Sequence, residues 1–185
     1  MVHLDDVEGA MTGTAQAHGI DAVTAFLERE GVRHEVLEHR PTFSAAAEAR
    51  AAGTEPREAA KTIALHDRGG YRMAVLPATH RLDLHRVREL LGGTTHLRLA
   101  TEEELQRDFP MFDVGAMPPL GPMIPMPEVI DVHLLYHERI MCAGGDHRHS
   151  IRLDPRDLLR VCEPRVASLC ETPEGHSRFR DLPRI

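Results

Sequence analysis

The chain has almost no lysine. Of its 22 basic residues other than histidine, 21 are arginines, and Lys61 is the only ammonium side chain. It has no tryptophan, and aromatic residues make up 4%, so the core must rest on Ala, Val, Leu, Ile and Met. Its three cysteines, Cys142, Cys162 and Cys170, form no CxxC pair and are odd in number. This argues against a disulfide framework and fits a reducing cytoplasm. No run of about 18 apolar residues occurs, so no transmembrane helix and no membrane partner are expected. The acidic start, MVHLDDVEGAMTG, lacks a basic region followed by an apolar one and reads as neither a signal nor a transit peptide. A formal charge of −7 opposes wrapping of long nucleic acid by bulk attraction, so no DNA partner is expected; it leaves room for a local basic groove. No GxGxxG or GxxxxGK[ST] stands at a strand-to-helix turn, which sets aside dinucleotide and P-loop chemistry.

What is present reads as one domain at residues 20–170. A polar arm at 1–19 precedes it and a polar tail at 171–185 follows. Helical and strand signals alternate. Val23, Phe26 and Leu27 share one helical face before Gly31. Ser44, Thr54, Asp83 and Asp154 are N-cap residues of four helical stretches, and Thr101 with Glu104 forms a capping box. KTIALHD and YRMAVLP flank Arg68-Gly69-Gly70, a hairpin signal. VIDVHLLY and RIMCAGG are expected to form a second hairpin, and HSIRL a last short strand. Adjacent hairpins predict an α/β fold with a curved, mixed, mostly antiparallel sheet flanked by helices.

Two features carry chemistry. Lys61 lies on a strand whose period of two puts it with Ile63 and Leu65. On a buried face its ammonium would sit at the rim of an apolar surface, and a site shaped for a compact ammonium does not accept a planar guanidinium. Composition alone leaves a chance surface lysine an equal alternative. The second feature is DVGAMPPLGPMIPMPE, residues 113–128, with five prolines between positions 118 and 127 and glycines at 115 and 121. Such a loop is neither helix nor central strand. It can hold bare N–H groups in a fixed array without losing chain entropy on binding, or be a rigid connection and nothing more.

Gly115 to Pro119 reads GxxxP. With the lone lysine in a KTIAL strand before it, the VLPATHRLDL segment, the EEEL helix, a GG-containing turn and a closing DL helix, residues 22–163 resemble the YbaK-like family of aminoacyl-tRNA deacylases, related to the editing domain of bacterial prolyl-tRNA synthetases. The resemblance implies hydrolysis of the ester between a wrong amino acid and the terminal adenosine of a tRNA, with no cofactor and no metal. It implies that the Gly115 N–H stabilises the oxyanion, a donor worth roughly 3–4 kcal/mol. It further implies that Lys61 binds a phosphate or ribose oxygen of the acceptor end, and that Pro119 holds the loop in place. The partner would be the acceptor end of a mischarged tRNA, with or without an aminoacyl-tRNA synthetase to present it.

The thirteen histidines raise a separate question. In GGDHRHS, residues 144–150, His147 and His149 would share a strand face. His149 is the better candidate to line a pocket, with Asp146 as its orienting partner; a solvated turn is the alternative for both. His80 either faces the pocket or caps the following helix. His133 and His137 share a face only on a helix. Asp146, His147, His149 and Cys142 are ligand types close in sequence, but the paired spacing of zinc sites is missing. Two further readings stay open: an inactive tRNA- or synthetase-binding module, with Arg152, Arg156 and Arg160 as a basic stripe among acidic neighbours, and a His-rich metal binder.

Overall fold

The structure, a computed structural model, describes residues 17–91 and 96–171. The expected arm up to residue 16 and the tail from 172 lie outside the described residues. Helix α1 (Gly19–Arg29) is followed by strand β1 (His34–Glu38), α2 (Ala45–Ala51), a 3-10 turn (Pro56–Glu58) and the hairpin β2 (Ala60–Asp67) and β3 (Gly70–Pro77). Then come α3 (Leu84–Leu90), β4 (Arg98–Leu99), α4 (Glu102–Asp108) and the proline-rich loop. The chain closes with β5 (Glu128–Asp131), a 3-10 turn (Val132–Tyr136), β6 (Ile140–Ala143), β7 (His149–Leu153), α5 (Pro155–Cys162) and β8 (Arg165–Ala167).

Helix starts are set by local chemistry. Ser44 accepts from the Ala47 N–H, Asp83 from Arg86 and Asp154 from Arg156, and Thr101 with Glu104 makes a reciprocal box. Each cap satisfies N–H groups that the first turn leaves without partners, at about 1 kcal/mol apiece. Gly31, with φ +65°, lets the chain leave α1 at no steric cost.

The α/β class with mixed strands and flanking helices is as the sequence predicts, and the strands divide into two hydrogen-bonded sheets. One has the order β1-β7-β6 and is antiparallel; the other has the order β4-β2-β3-β5-β8. In the second, β2 pairs antiparallel with β3 and β4, while β3-β5 and β5-β8 are parallel. The expected second hairpin is corrected here. β5 and β6 do not pair; β6 pairs with β7 around the 144–148 turn. The cause is Asp131, which accepts from the His133 N–H, caps a 3-10 turn and ends β5 before it can fold back.

The main core lies between the two sheets. Ala60, Ala64, Met73 and Val75 enter it from the long hairpin, Ile151 and Leu153 from β7, and Val23 and Leu27 from α1. Met117 and Leu120 of the proline-rich loop enter the same core. Burying such a side chain is worth about 1.5–3 kcal/mol, so the loop is pinned by its own apolar residues. The outer face of the five-stranded sheet carries a second cluster, with Ile63 and Leu65 of β2, Val87 of α3, and Leu169. Alternation along β2 therefore sends Lys61 to the outer face with Ile63 and Leu65. A parallel bridge between Ala59 and Met141 joins the two sheets near the start of β2.

Candidate active site

Gly115 sits in a tight turn closed by the Ala116 N–H donating to the Asp113 carbonyl at 2.9 Å. Its φ of +87° is the value a type II turn requires at its third residue, where a side chain is strained. The N–H of Gly115 belongs to the central peptide of that turn and is not consumed by the turn's own bond. Among the described residues it has no hydrogen-bond acceptor. It is a donor held in place and left free, the arrangement a developing oxyanion needs.

The turn after β6 is laced to this loop. Asp113 N–H donates to the Gly145 carbonyl at 2.9 Å, and Gly145 N–H donates to the Ala116 carbonyl at 3.1 Å. On its other side Thr42 N–H donates to the His147 carbonyl and His39 N–H to that of Arg148. A β-carbon added at Gly115 would stand 3.9 Å from His147 Cε1, and the His147 ring lies 4.7 Å from that of Phe43. Phe43 is 81% exposed, so it forms an outer wall. Thus His147 is the histidine that borders Gly115. Only His149 is in strand β7; His147 is in the turn, so the two do not form a common strand face.

His149 and Asp146 form a dyad. His149 Nδ1 lies 2.9 Å from both oxygens of Asp146. Burial pushes the Asp146 carboxyl up, but the Arg148 N–H, His149 and the Ile20 N–H outweigh it and hold the acid below its ordinary value. A carboxylate can only accept, so Nδ1 carries the proton and Nε2 keeps the lone pair of the neutral ring. Nε2 has no partner among the described residues. Asp146 also accepts from the N–H groups of Ile20, Arg148 and His149, so it fastens the turn to the start of α1. Behind the turn, fully buried Ser150 donates to Glu48 at 2.6 Å and meets His39 Nε2 at 2.9 Å. No sequence motif marks this His39–Ser150–Glu48 network, because it joins a strand end, a strand and a helix far apart in the chain.

Lys61 and His80 lie together, apart from that group. Lys61 Nζ donates to the His80 carbonyl. Burial lowers the amine below the usual lysine value; Cys170 opposes the shift and Arg81 adds to it. The ligand-type atoms of Asp131, His133 and Cys170 lie within 4.8 Å of one another. Asp131 oxygens, however, already accept from the N–H groups of His133 and Leu169, from His133 Nδ1 and from the Cys170 thiol. Burial and the Asp131 carboxylate push that thiol up to about 12. The cluster is a satisfied structural knot that fastens Leu169 and Cys170 to the end of β5. Lys61 nevertheless starts only two residues past the Ala59–Met141 bridge, and the 144–148 turn starts three residues past the same bridge. Both segments leave this seam between the sheets, Lys61 toward the outer face of β2 with Ile63 and Leu65, while Met117 and Leu120 of the Gly115 loop enter the core on the inner side.

Pro119 lies beside Leu120 in the pinned loop, and its carbonyl accepts from the Cys162 thiol at 3.6 Å. Three concavities lie elsewhere, one of about 260 Å³ along Phe109 and Met111, one of about 520 Å³ between the proline-rich loop and Cys162, and one of about 630 Å³ beside Tyr71, Asp108 and Pro127. None is lined by Gly115, Lys61 or His149. Among the described residues no helix is long and apolar enough to cross a membrane.

Comparison with known proteins bears on this geometry. A comparison with curated proteins found no match. A solved structure of a candidate trans-editing enzyme for prolyl tRNA synthetase is 32% identical, with a TM-score of 0.74 over 83% of this chain and 97% of that one. A hypothetical protein of known structure is 26% identical, with a TM-score of 0.73 over 81% of this chain and 99% of that one. A scaffold protein used for computational epitope grafting is 29% identical, with a TM-score of 0.73 over 83% of this chain and 97% of that one. The family model of the aminoacyl-tRNA editing domain matches residues 39–161, a span that holds Lys61, His80, Gly115, Pro119, Asp146 and His149. The chain belongs to the aminoacyl-tRNA editing domain family.

Proposed function

We propose that this protein is a freestanding hydrolase that cleaves the ester of a mischarged aminoacyl-tRNA in trans. The observation that carries the reading is the unused Gly115 N–H, fixed at positive φ in a loop pinned by buried Met117 and Leu120. Family membership supplies the ester, and similarity to a candidate trans-editing enzyme for prolyl tRNA synthetase supplies the mode of action.

In this reading water adds to the ester carbonyl carbon, and the oxygen that gains charge accepts from the Gly115 N–H. His149 Nε2, oriented through Nδ1 by Asp146, takes the water proton and returns it to the ribose oxygen as the acyl–oxygen bond breaks. The products are the free amino acid and an uncharged tRNA. Lys61 anchors a phosphate or ribose oxygen of the acceptor end from across the seam, with His80 beside it, and Pro119 keeps the loop from relaxing. His147 and Phe43 wall the site. Such a second sieve is needed because one methylene changes binding by only about 1–3 kcal/mol, too little for a synthetase to reject every near-cognate amino acid. Contact limited to the acceptor end suits a chain of net charge −7 and predicts a shallow salt dependence.

The test is a deacylation screen over tRNAs carrying alanine, cysteine, serine or threonine as the wrong amino acid, run with wild type and Lys61→Ala. Release of one amino acid, lost in the variant, is the expected result. No release from any ester defeats the hydrolase and favours a binding module; equal release by both proteins removes Lys61 from the site.

A further inference from the structure

Lys61 has company on the outer face. The rings of His80 and His133 are stacked, with centroids 5.9 Å apart and planes 15° apart. The His133 ring meets Tyr136 edge-on, again at 5.9 Å. All three residues are exposed, Tyr136 at 75%. Two cations border this strip. One is Lys61, bonded to the His80 carbonyl; the other is exposed Arg81, close enough to lower the lysine's pKa.

The strip is built rather than incidental. Asp131 is fully buried and accepts from both the N–H and the Nδ1–H of His133, which fixes the ring. The Asp131 oxygens are held in turn by Leu169 and Cys170. Among the described residues Asp131 is the only carboxylate bonded to the strip, and its charge is spent on these donors. What faces outward is a row of π surfaces flanked by positive charge.

Single-stranded nucleic acid matches that pattern. Its bases offer flat faces that stack on His and Tyr rings, and its phosphates pair with cations. A duplex does not fit, because its base faces are covered by neighbouring pairs. We propose that the strip formed by His80, His133 and Tyr136 holds the unpaired nucleotides at the 3′ end of a tRNA, just upstream of the nucleotide that carries the ester. This rests on the reading of the chain as a tRNA deacylase. It also gives the outer-face position of Lys61 a role, that of a cation beside the gripped tail.

The test uses the full chain and fluorescently labelled bulk tRNA, intact or trimmed of its CCA end, with affinity read by anisotropy. Wild type is expected to lose about tenfold in affinity when CCA is removed. Tyr136→Ala should lose a similar factor for intact tRNA and no longer distinguish the two tRNAs, whereas Tyr136→Phe, which keeps the ring, should behave as wild type. His133→Ala should act like Tyr136→Ala. Equal binding of both tRNAs by wild type, no measurable binding, or an equal loss on both tRNAs in Tyr136→Ala would overturn the strip. Hydrolysis of a short aminoacyl-adenosine ester is scored alongside. Hydrolysis without any Tyr136 dependence of tRNA affinity sinks the strip and leaves the deacylase; CCA-dependent and Tyr136-dependent affinity without hydrolysis does the reverse.

Discussion

Around Gly115 the group that faces outward is backbone; around Lys61 the groups are side chains. The first cluster is made by a turn whose own hydrogen bond leaves one N–H free, and by a second turn that locks it through Asp113, Gly145 and Ala116. The second cluster is made by a buried carboxylate that uses every lone pair to hold a histidine, a thiol and the Leu169 N–H. A backbone donor costs no side-chain entropy and cannot titrate, so it suits charge that exists only in a transition state. Rings and cations fixed by side-chain bonds suit a ligand that keeps its charge and shape throughout. On the proposed function, the two clusters would divide the labour of an ester hydrolase between reacting and gripping.

Gly115 is where a substitution has the largest expected effect. Gly115→Ala meets no crowding, since the new carbon finds His147 Cε1 at an ordinary 3.9 Å, but φ +87° costs an L-residue roughly 1–2 kcal/mol. The peptide will rotate to relieve this, turning the N–H away. Deacylation kcat/KM should fall about 10²- to 10³-fold, as for loss of one oxyanion donor, while chemical unfolding shows a loss of only about 1–2 kcal/mol. An activity loss no larger than the stability loss would mean that Gly115 is a turn residue and nothing else.

A second test asks what keeps the loop still. Glu128 is 6% exposed, its Oε2 accepts from the Gly121 N–H at 3.2 Å, and its Oε1 has no partner among the described residues. Burial raises its pKa from 4.5 to about 7, with Gly121 and Cys162 offsetting part of the cost. A raised carboxyl favours the protonated folded state. Its stabilising contribution is therefore complete below pH 4.5 and is lost as the pH rises through about 7. At 1.36 kcal/mol per pKa unit the swing is about 3 kcal/mol. Glu128→Gln mimics the protonated acid, so at pH 8 it should be more stable than wild type by up to that amount, and the slope of unfolding free energy between pH 5 and 7 should flatten. Deacylation at neutral pH should be unchanged, because the prolines and the buried Met117 and Leu120 already fix the loop. A wild-type stability profile flat over that range would show that Glu128 is relieved by some other contact.

Much of this was readable from residue types, and the part that was not has a common cause. Caps at Ser44, Asp83, Asp154 and Thr101 and the Gly69-Gly70 hairpin turn are decided within four or five residues, so the chain announces them. The GxxxP stretch announces a rigid loop for the same reason. The partner of β6 is decided by Asp131, whose capping bond to His133 competes with continuing the strand, and no pattern of apolar residues reveals that competition. Likewise, alternation shows that Lys61 shares a face with Ile63 and Leu65, but which core covers that face depends on where α3 and Leu169 pack. That His147 sits beside Gly115 depends on how the 113–116 and 144–148 turns are laced together, about thirty positions apart in the chain.

The smallest effect is the most discriminating, because it isolates shape from charge. Lys61→Arg keeps the positive charge beside the seam. The ammonium now meets a single carbonyl, that of His80, whereas a guanidinium fork needs two acceptors in one plane. It would also press toward Arg81, whose charge already lowers the amine's pKa. The residue is half-buried, so unfolding free energy should change by less than about 1 kcal/mol, within the range of ordinary surface substitutions. KM for aminoacyl-tRNA should rise about tenfold, equivalent to about 1.4 kcal/mol, with kcat nearly preserved because Gly115 is untouched. If Lys61→Arg retains the wild-type KM, charge alone is sufficient and the one lysine among 21 arginines carries no shape requirement. If kcat falls instead, the amine reaches the reacting ester itself, and the division between a reacting cluster and a gripping cluster does not hold.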